Sequence, residues 1–394
     1  MADRSPPADR FFTGPFVLAF AANFLQGLAI HPYLHLPGYL ARLGAGEALI
    51  GLVFGMMSGA AIVIRPFAGR AMDGWGRRGV ILAGGVLHVI VCLLYTTVDS
   101  VGPWLFTVRC LQGLAVGAIF SSLFTYAADI IPPAKRTQGI ALFGVSGMLP
   151  MSLGGLLGDA VLAQWDYREL FFITAALALA ALLLSLPLPE PDRSRTMGRG
   201  FFGVLRQPDL MPVWFVGSMF ATALAGLFAF LKGYTEDALG FGSVGVFFSW
   251  YTGAAIFLRV GFGWLPDRLG AMKIFYPSMA LLALALVALS QARSDGWIAV
   301  AGVLAGTGHG YAFPILSTLA VERAHASDRG SAMALFTAIF DAGILVGSPL
   351  LGLIVEHTSY RTMYLVAAVM PVAGTAIFHL WDARVRDPAP AAPS

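Results

Sequence analysis

Two charged side chains stand where water should not reach. Asp341 lies near the middle of an apolar run covering about residues 331–354, and no other acid falls so far inside such a run. Arg109 belongs to the run 101–127, roughly 12 Å from its outer end at the helical rise per residue. A charge at that depth of a bilayer costs at least about 2.5 kcal/mol unless it is paired or hydrated, so both residues are candidates for function. A carboxyl group binds or releases a proton as its surroundings change between wet and dry. Asp341 is therefore the expected carrier of a coupled proton, with Arg109 biasing that proton or meeting an anionic group on a substrate. His31, His88 and His309 also fall inside apolar runs, and imidazole is the side chain that titrates nearest neutral pH. Their scatter lacks the spacing of a metal site. With neither a nucleotide-binding loop nor a hydrolytic constellation in sight, the expectation is a protein that is not an enzyme and needs no cofactor or metal.

The elements that position these residues follow from composition. Of 394 residues, 57% are hydrophobic and only 12% charged, about half the charged fraction of a soluble protein. Most of the chain must face lipid. Apolar runs of membrane-spanning length fall near 13–36, 48–69, 79–98, 101–127, 138–160, 169–187, 210–232, 242–265, 273–291, 296–321, 331–354 and 361–381. The fold expected is an all-α membrane protein of twelve transmembrane helices, with a six-helix half at 1–187, a polar linker at 188–209 and a second half at 210–394. A net charge of +3 is too small for nucleic-acid binding. Cys92 and Cys110 lie in apolar runs and make no disulfide framework. Lysine and arginine are sorted by loop: with the N-terminus inside, inner segments hold seventeen of the 25 and outer loops five. Both termini are expected in the cytoplasm.

One half recurs in the other. Arg65, Gly69, Asp73 and Gly76 return as Arg259, Gly263, Asp267 and Gly270, each 194 positions on. Asp129 and Arg136 return as Glu322 and Arg329, and Tyr167-Arg168 as Tyr360-Arg361. An offset of six helices keeps both halves in the same orientation, a parallel repeat suited to rocking about a central site.

The stretch GRAMDGWGRR from Gly69 to Arg78, with its copy GWLPDRLGAMK from Gly263 to Lys273, resembles the loop signature of the major facilitator superfamily. Arg109, Gln112, Gly113 and Gly117 resemble an arginine-bearing signature of its proton-coupled members. Arg65-Pro66 and Asp341 are similar to features of bacterial arabinose-efflux-like permeases. The resemblance implies a monomeric transporter in the bacterial inner membrane. It also implies a latch at the inner surface, in which Gly69, Asp73, Gly76, Arg77 and Arg78 with Gly263 and Asp267 meet helix starts. Asp129, Arg136, Glu322 and Arg329 would belong to the same network, and Arg65 and Arg259 to its support.

In such a fold helices 1, 4, 7 and 10 line the cavity. That would place Asn23, Gln26, His31, Gln112, Phe120, Met219, Phe228 and Phe313 against substrate and His309 beside the proton path, while His88, on helix 3, is set aside. A free sugar needs many amides and carboxylates, whereas this chain holds one asparagine and an apolar, aromatic lining. The expected cargo is a small amphipathic compound, exported against protons. The partial resemblance of Gly144 to Gly155 to the helix-5 signature of drug-proton antiporters points the same way. The alternative is an uptake symporter or facilitator for a sugar or organic anion.

Overall fold

The computed structural model describes residues 12–132, 136–191, 201–325 and 328–386. Among these the chain is helical, without a β-strand, as a lipid solvent requires of an open chain that must satisfy its own backbone groups. The helices are α1 (Gly14–Ile30), α2 (Leu36–Arg42), α3 (Glu47–Trp75), α4 (Arg77–Leu94), α5 (Pro103–Ile130), α6 (Arg136–Leu162) and α7 (Tyr167–Ser185). There follow α8 (Phe201–Leu205), α9 (Met211–Gly233), α10 (Val244–Phe262), α11 (Leu265–Leu269), α12 (Ala271–Ser290), α13 (Asp295–Arg323), α14 (Arg329–His357) and α15 (Tyr360–Arg386). Twelve helical segments are long and apolar enough to cross a membrane, α1 and α2 counting as one through a 3-10 turn at His31–His35. This is the twelve-span fold expected, although several helices outrun the apolar runs: α13 and α14 each reach 29 residues. Polar end turns extend a helix beyond its lipid-buried length.

Local signals set the ends. The Thr13 hydroxyl accepts from Phe16 N at the start of α1, and Ser243 from Val246 N at the start of α10. Asp166 and Glu169 form a capping box on α7, pairing donors that a helix start leaves open. The helices α4 and α12 begin at Gly76 (φ 91°) and Gly270 (φ 97°), a backbone region in which a side chain would be strained. These are the same position of the sequence repeat.

The chain divides into two compact units. Unit 1 comprises Met1–Tyr33 with Val63–Ser194, and unit 2 comprises Leu34–Ile62 with Arg195–Ser394. In unit 1, α1 packs on α6 and α7, and α4 on α5 and α7. Unit 2 repeats the scheme, with α9 on α14 and α15, and α12 on α13 and α15. In unit 1 a core forms around Phe16, Ile119, Leu123, Tyr126 and Phe143, where Phe16 meets Phe143 edge to face at 6.3 Å.

Candidate functional site

In unit 1 the polar side chains of the helices bond to one another. Arg109, fully enclosed in α5, donates from Nη1 to Gln112 Oε1 at 2.6 Å, and the Tyr95 hydroxyl donates to the same oxygen at 2.7 Å. One amide oxygen thus anchors a buried cation and a buried phenol, which offsets part of the cost of their desolvation. From α1, Asn23 Nδ2 donates to Ser146 Oγ on α6 at 2.8 Å. Gln26 Nε2 meets His88 Nδ1 on α4 at 2.6 Å, and His88 Nε2 lies 3.6 Å from Cys92 Sγ. His31 Nδ1 bonds the carbonyl of Gly27 at 2.8 Å. These contacts need close backbones. A Cβ on Gly27 would lie 2.7 Å from Pro150, and one on Gly154 2.7 Å from His31 Cβ, so the glycines around Pro150 let α6 seat against α1. Phe120, partly open to the surface, lies tilted against Phe124 with ring centroids 4.6 Å apart.

Unit 2 gathers rings instead. His309, in mid α13, has Phe220 at 5.4 Å, Phe313 at 5.7 Å and Tyr251 at 5.7 Å between ring centroids, and the Tyr251 hydroxyl bonds its Nδ1. Phe340 on α14 closes on Phe220 and Phe313. Asp341 follows it and is partly exposed. Phe228 stacks on Phe248 at 5.9 Å, and Met219 sits over Gly374. Arg259 donates from Nε to Gly310 O at 3.1 Å. Asp341 and Arg109 belong to different units.

The loop-signature residues of unit 1 form a bonded cluster. Arg77 Nε pairs with Asp129 Oδ2 at 2.9 Å, and its Nη1 donates to Met72 O. The backbone amides of Arg77 and Arg78 donate to the two carboxylate oxygens of Glu190 at 2.7 and 3.0 Å. The Arg78 guanidinium bonds Leu186 O at 2.7 Å. Gly69 faces open space, while a Cβ on Gly76 would collide with the Glu190 carboxylate. The side chains of Asp73 and Arg136, and linker residues 192–200, lie outside the described residues. In unit 2, Gly263, Asp267, Glu322 and Arg329 are exposed. Arg323, next to Glu322, makes a two-pronged pair with Asp382.

Sequence reasoning passed over three features. Glu190 reads as one charge of a polar linker. His88 is buried and bonded rather than peripheral. The third is a cluster at the start of α3 within unit 2: Glu47 accepts from the Tyr360 hydroxyl, and Glu356 accepts from Ala48 N at 3.1 Å. Nearby, Tyr234 donates to Leu289 O; burial raises its hydroxyl above the usual phenol range and Arg361 pulls it back. Among the described residues no group of three metal-ligating side chains occurs.

Comparison with known proteins agrees with this architecture. The family model of the Major Facilitator Superfamily matches residues 16–327 and 292–394. The multidrug resistance protein MdtG of Citrobacter koseri is 27% identical over 372 residues, 89% of this chain and 90% of that one. The uncharacterized MFS-type transporter YhhS of Escherichia coli is 27% identical over 378 residues, 93% and 91% of the two chains. Among solved structures, the nucleoside transporter NupG superposes with a TM-score of 0.75 at 17% identity, covering 94% of this chain and 99% of that one. The human organic anion transporter MFSD10 gives 0.72 at 18%, covering 95% and 100%; at such identities the likeness is one of fold. The chain belongs to the Major Facilitator Superfamily and is a multi-pass inner-membrane transporter of small molecules, not an enzyme.

Proposed function

We propose that this transporter exports small amphipathic compounds in exchange for protons. The observation that carries the reading is the likeness to MdtG, named a multidrug resistance protein, over nine-tenths of both chains. The ring-rich surroundings of His309, Phe313 and Phe340 and the scarcity of amides support an apolar, partly aromatic cargo. The working unit is a monomer with both termini cytoplasmic, its halves at 1–187 and 210–394 alternating in access across the linker 188–209. Asp341 carries the proton, and Arg109 and His309 bias its exchange. Asn23, Gln26, His31, Gln112, Phe120, Met219, Phe228 and Phe313 supply the substrate contacts. The two inner-loop signatures, Asp73 and Asp267 included, act as the gate.

Inside-out vesicles with an imposed proton gradient test this. Ethidium accumulates while the gradient lasts and leaks back when a protonophore collapses it. The second reading, uptake or facilitated passage of a sugar or organic anion, draws on the nucleoside and organic anion transporters that share the fold; it gives no such accumulation. Asp341→Asn separates the proton step: counterflow persists while gradient-driven accumulation is lost, and survival of both unchanged removes Asp341 from the proton path.

A further inference from the structure

Within unit 2, α10 and α13 meet along a ladder of small residues. Gly302, Gly306 and Gly310 of α13 recur every fourth position and face Phe247, Tyr251 and Ala255 of α10, which do the same. A Cβ on Gly302 would lie 2.7 Å from Phe247 O and one on Gly310 3.2 Å from Ala255 Cα, and one on Gly306 would collide with the Tyr251 carbonyl. Backbones this close bring the Tyr251 hydroxyl to His309 Nδ1. Two turns further on, Arg259 Nε holds the carbonyl of Gly310. His309 is thus fixed from α10 at its own ring and at the next residue.

The direction of the Tyr251–His309 bond follows from donor accounting. Neutral imidazole has one donor nitrogen and one acceptor. Tyr251 is wholly buried, and its hydroxyl has no second partner among the described residues. Were His309 to donate from Nδ1, the phenolic hydrogen would be left buried without an acceptor, a costly arrangement. With the phenol donating to Nδ1, the buried phenolic hydrogen and Nδ1 satisfy each other, and the ring proton resides on Nε2, the nitrogen left open. His309 is partly exposed, and Phe220 and Phe313 frame its ring.

We infer that Tyr251 is a positioning residue that locks His309 in the Nε2–H form. It thereby makes the free nitrogen a fixed hydrogen-bond donor between aromatic rings. Such a site selects flat aromatic compounds that carry an acceptor, such as a quinone or ketone oxygen, over flat compounds that carry donors only. The inference rests on the export reading above and names its substrate class.

Two probes and three variants test it in inside-out vesicles. Doxorubicin presents quinone oxygens; ethidium is a planar cation bearing amino donors. Tyr251→Phe frees the imidazole to change tautomer and raises KM for doxorubicin five- to tenfold, with Vmax within twofold and a smaller change for ethidium. His309→Phe keeps a ring and loses the donor, and raises the doxorubicin KM by more than the ethidium KM, whatever it does to the Vmax of both. His309→Gln places an amide N–H near the position of Nε2, so doxorubicin KM returns toward the wild-type value, and adding Tyr251→Phe to it changes little further. A Tyr251→Phe protein in which both probes shift alike, or neither shifts, overturns the inference and leaves export standing. Wild-type vesicles that accumulate neither probe overturn the export reading, and the inference with it.

Discussion

In unit 1 the signature segment Gly69–Arg78 is tied down from three directions: by Asp129 on α5, by Glu190 beyond α7, and by the carbonyl of Leu186. In unit 2 its copy, Gly263–Lys273, stands largely exposed. Where unit 1 has Arg77 and Arg78 the copy has Ala271 and Met272, so the cation that seizes Asp129 has no counterpart. What persists is the backbone: Gly76 and Gly270 open their helices at φ 91° and 97°. Doubling a sequence has kept the turn geometry in both copies and the electrostatic fastening in one. At this turn the repeat keeps the glycine that a positive φ favours and drops the paired arginines that follow it.

The contrast sets a graded series of substitutions, each read as thermal unfolding of the purified protein. Gly76→Ala should be the most damaging, because a side chain there is strained by about 1–3 kcal/mol and also displaces the Glu190 carboxylate. Gly270→Ala carries only the strain, since nothing lies within 4 Å of its Cβ position; equal losses at the two sites would erase the contrast. Next, Asp129→Asn removes the anion from a half-buried pair and costs about 1–2 kcal/mol, with slower transport. The matching Glu322→Gln should stay within about 0.5 kcal/mol, and a comparable loss there would show that the second loop is fastened after all. Glu190→Ala uncaps α4 and should lower stability by about 0.5–1 kcal/mol, the loss shrinking as salt is added. Smallest is Arg268→Ala, which removes a guanidinium 4.9 Å above the exposed Trp264 ring and should change stability by no more than about 0.5 kcal/mol; a larger fall would place the second loop in a network like the first.

Much of the architecture was legible beforehand because it depends on segment length and composition. A run of some twenty apolar residues has few options in lipid, and twelve of them stand out. Gly76 and Gly270 of the loop signature were legible for a related reason: a positive φ leaves a mark on the residue type itself. Partnerships across helices leave no such mark. Gln26 and His88 are 62 positions apart, and nothing in either flank shows that they meet; the same holds for Tyr251 and His309, 58 apart. Glu190 was hidden for another reason. A carboxylate in a polar stretch has the same composition whether it is solvated or curls back onto a helix start, and only the path of the chain after α7 decides between them.

Helix α3 belongs to both units, its residues up to Ile62 to unit 2 and those from Val63 to unit 1. Its first half is bolted down: a Cβ on Gly55 would lie 2.7 Å from Leu345 O, Gly51 is pressed as closely on Ser348, and Glu47 and Glu356 exchange bonds with Tyr360 and the helix start. Pro66 lies inside the helix and has no amide hydrogen to offer the carbonyl four residues earlier, which is that of Ile62. The backbone ladder of α3 therefore lacks a rung at Ile62, the last α3 residue of unit 2. Bending α3 at that turn costs less than at any fully bonded turn of the same helix.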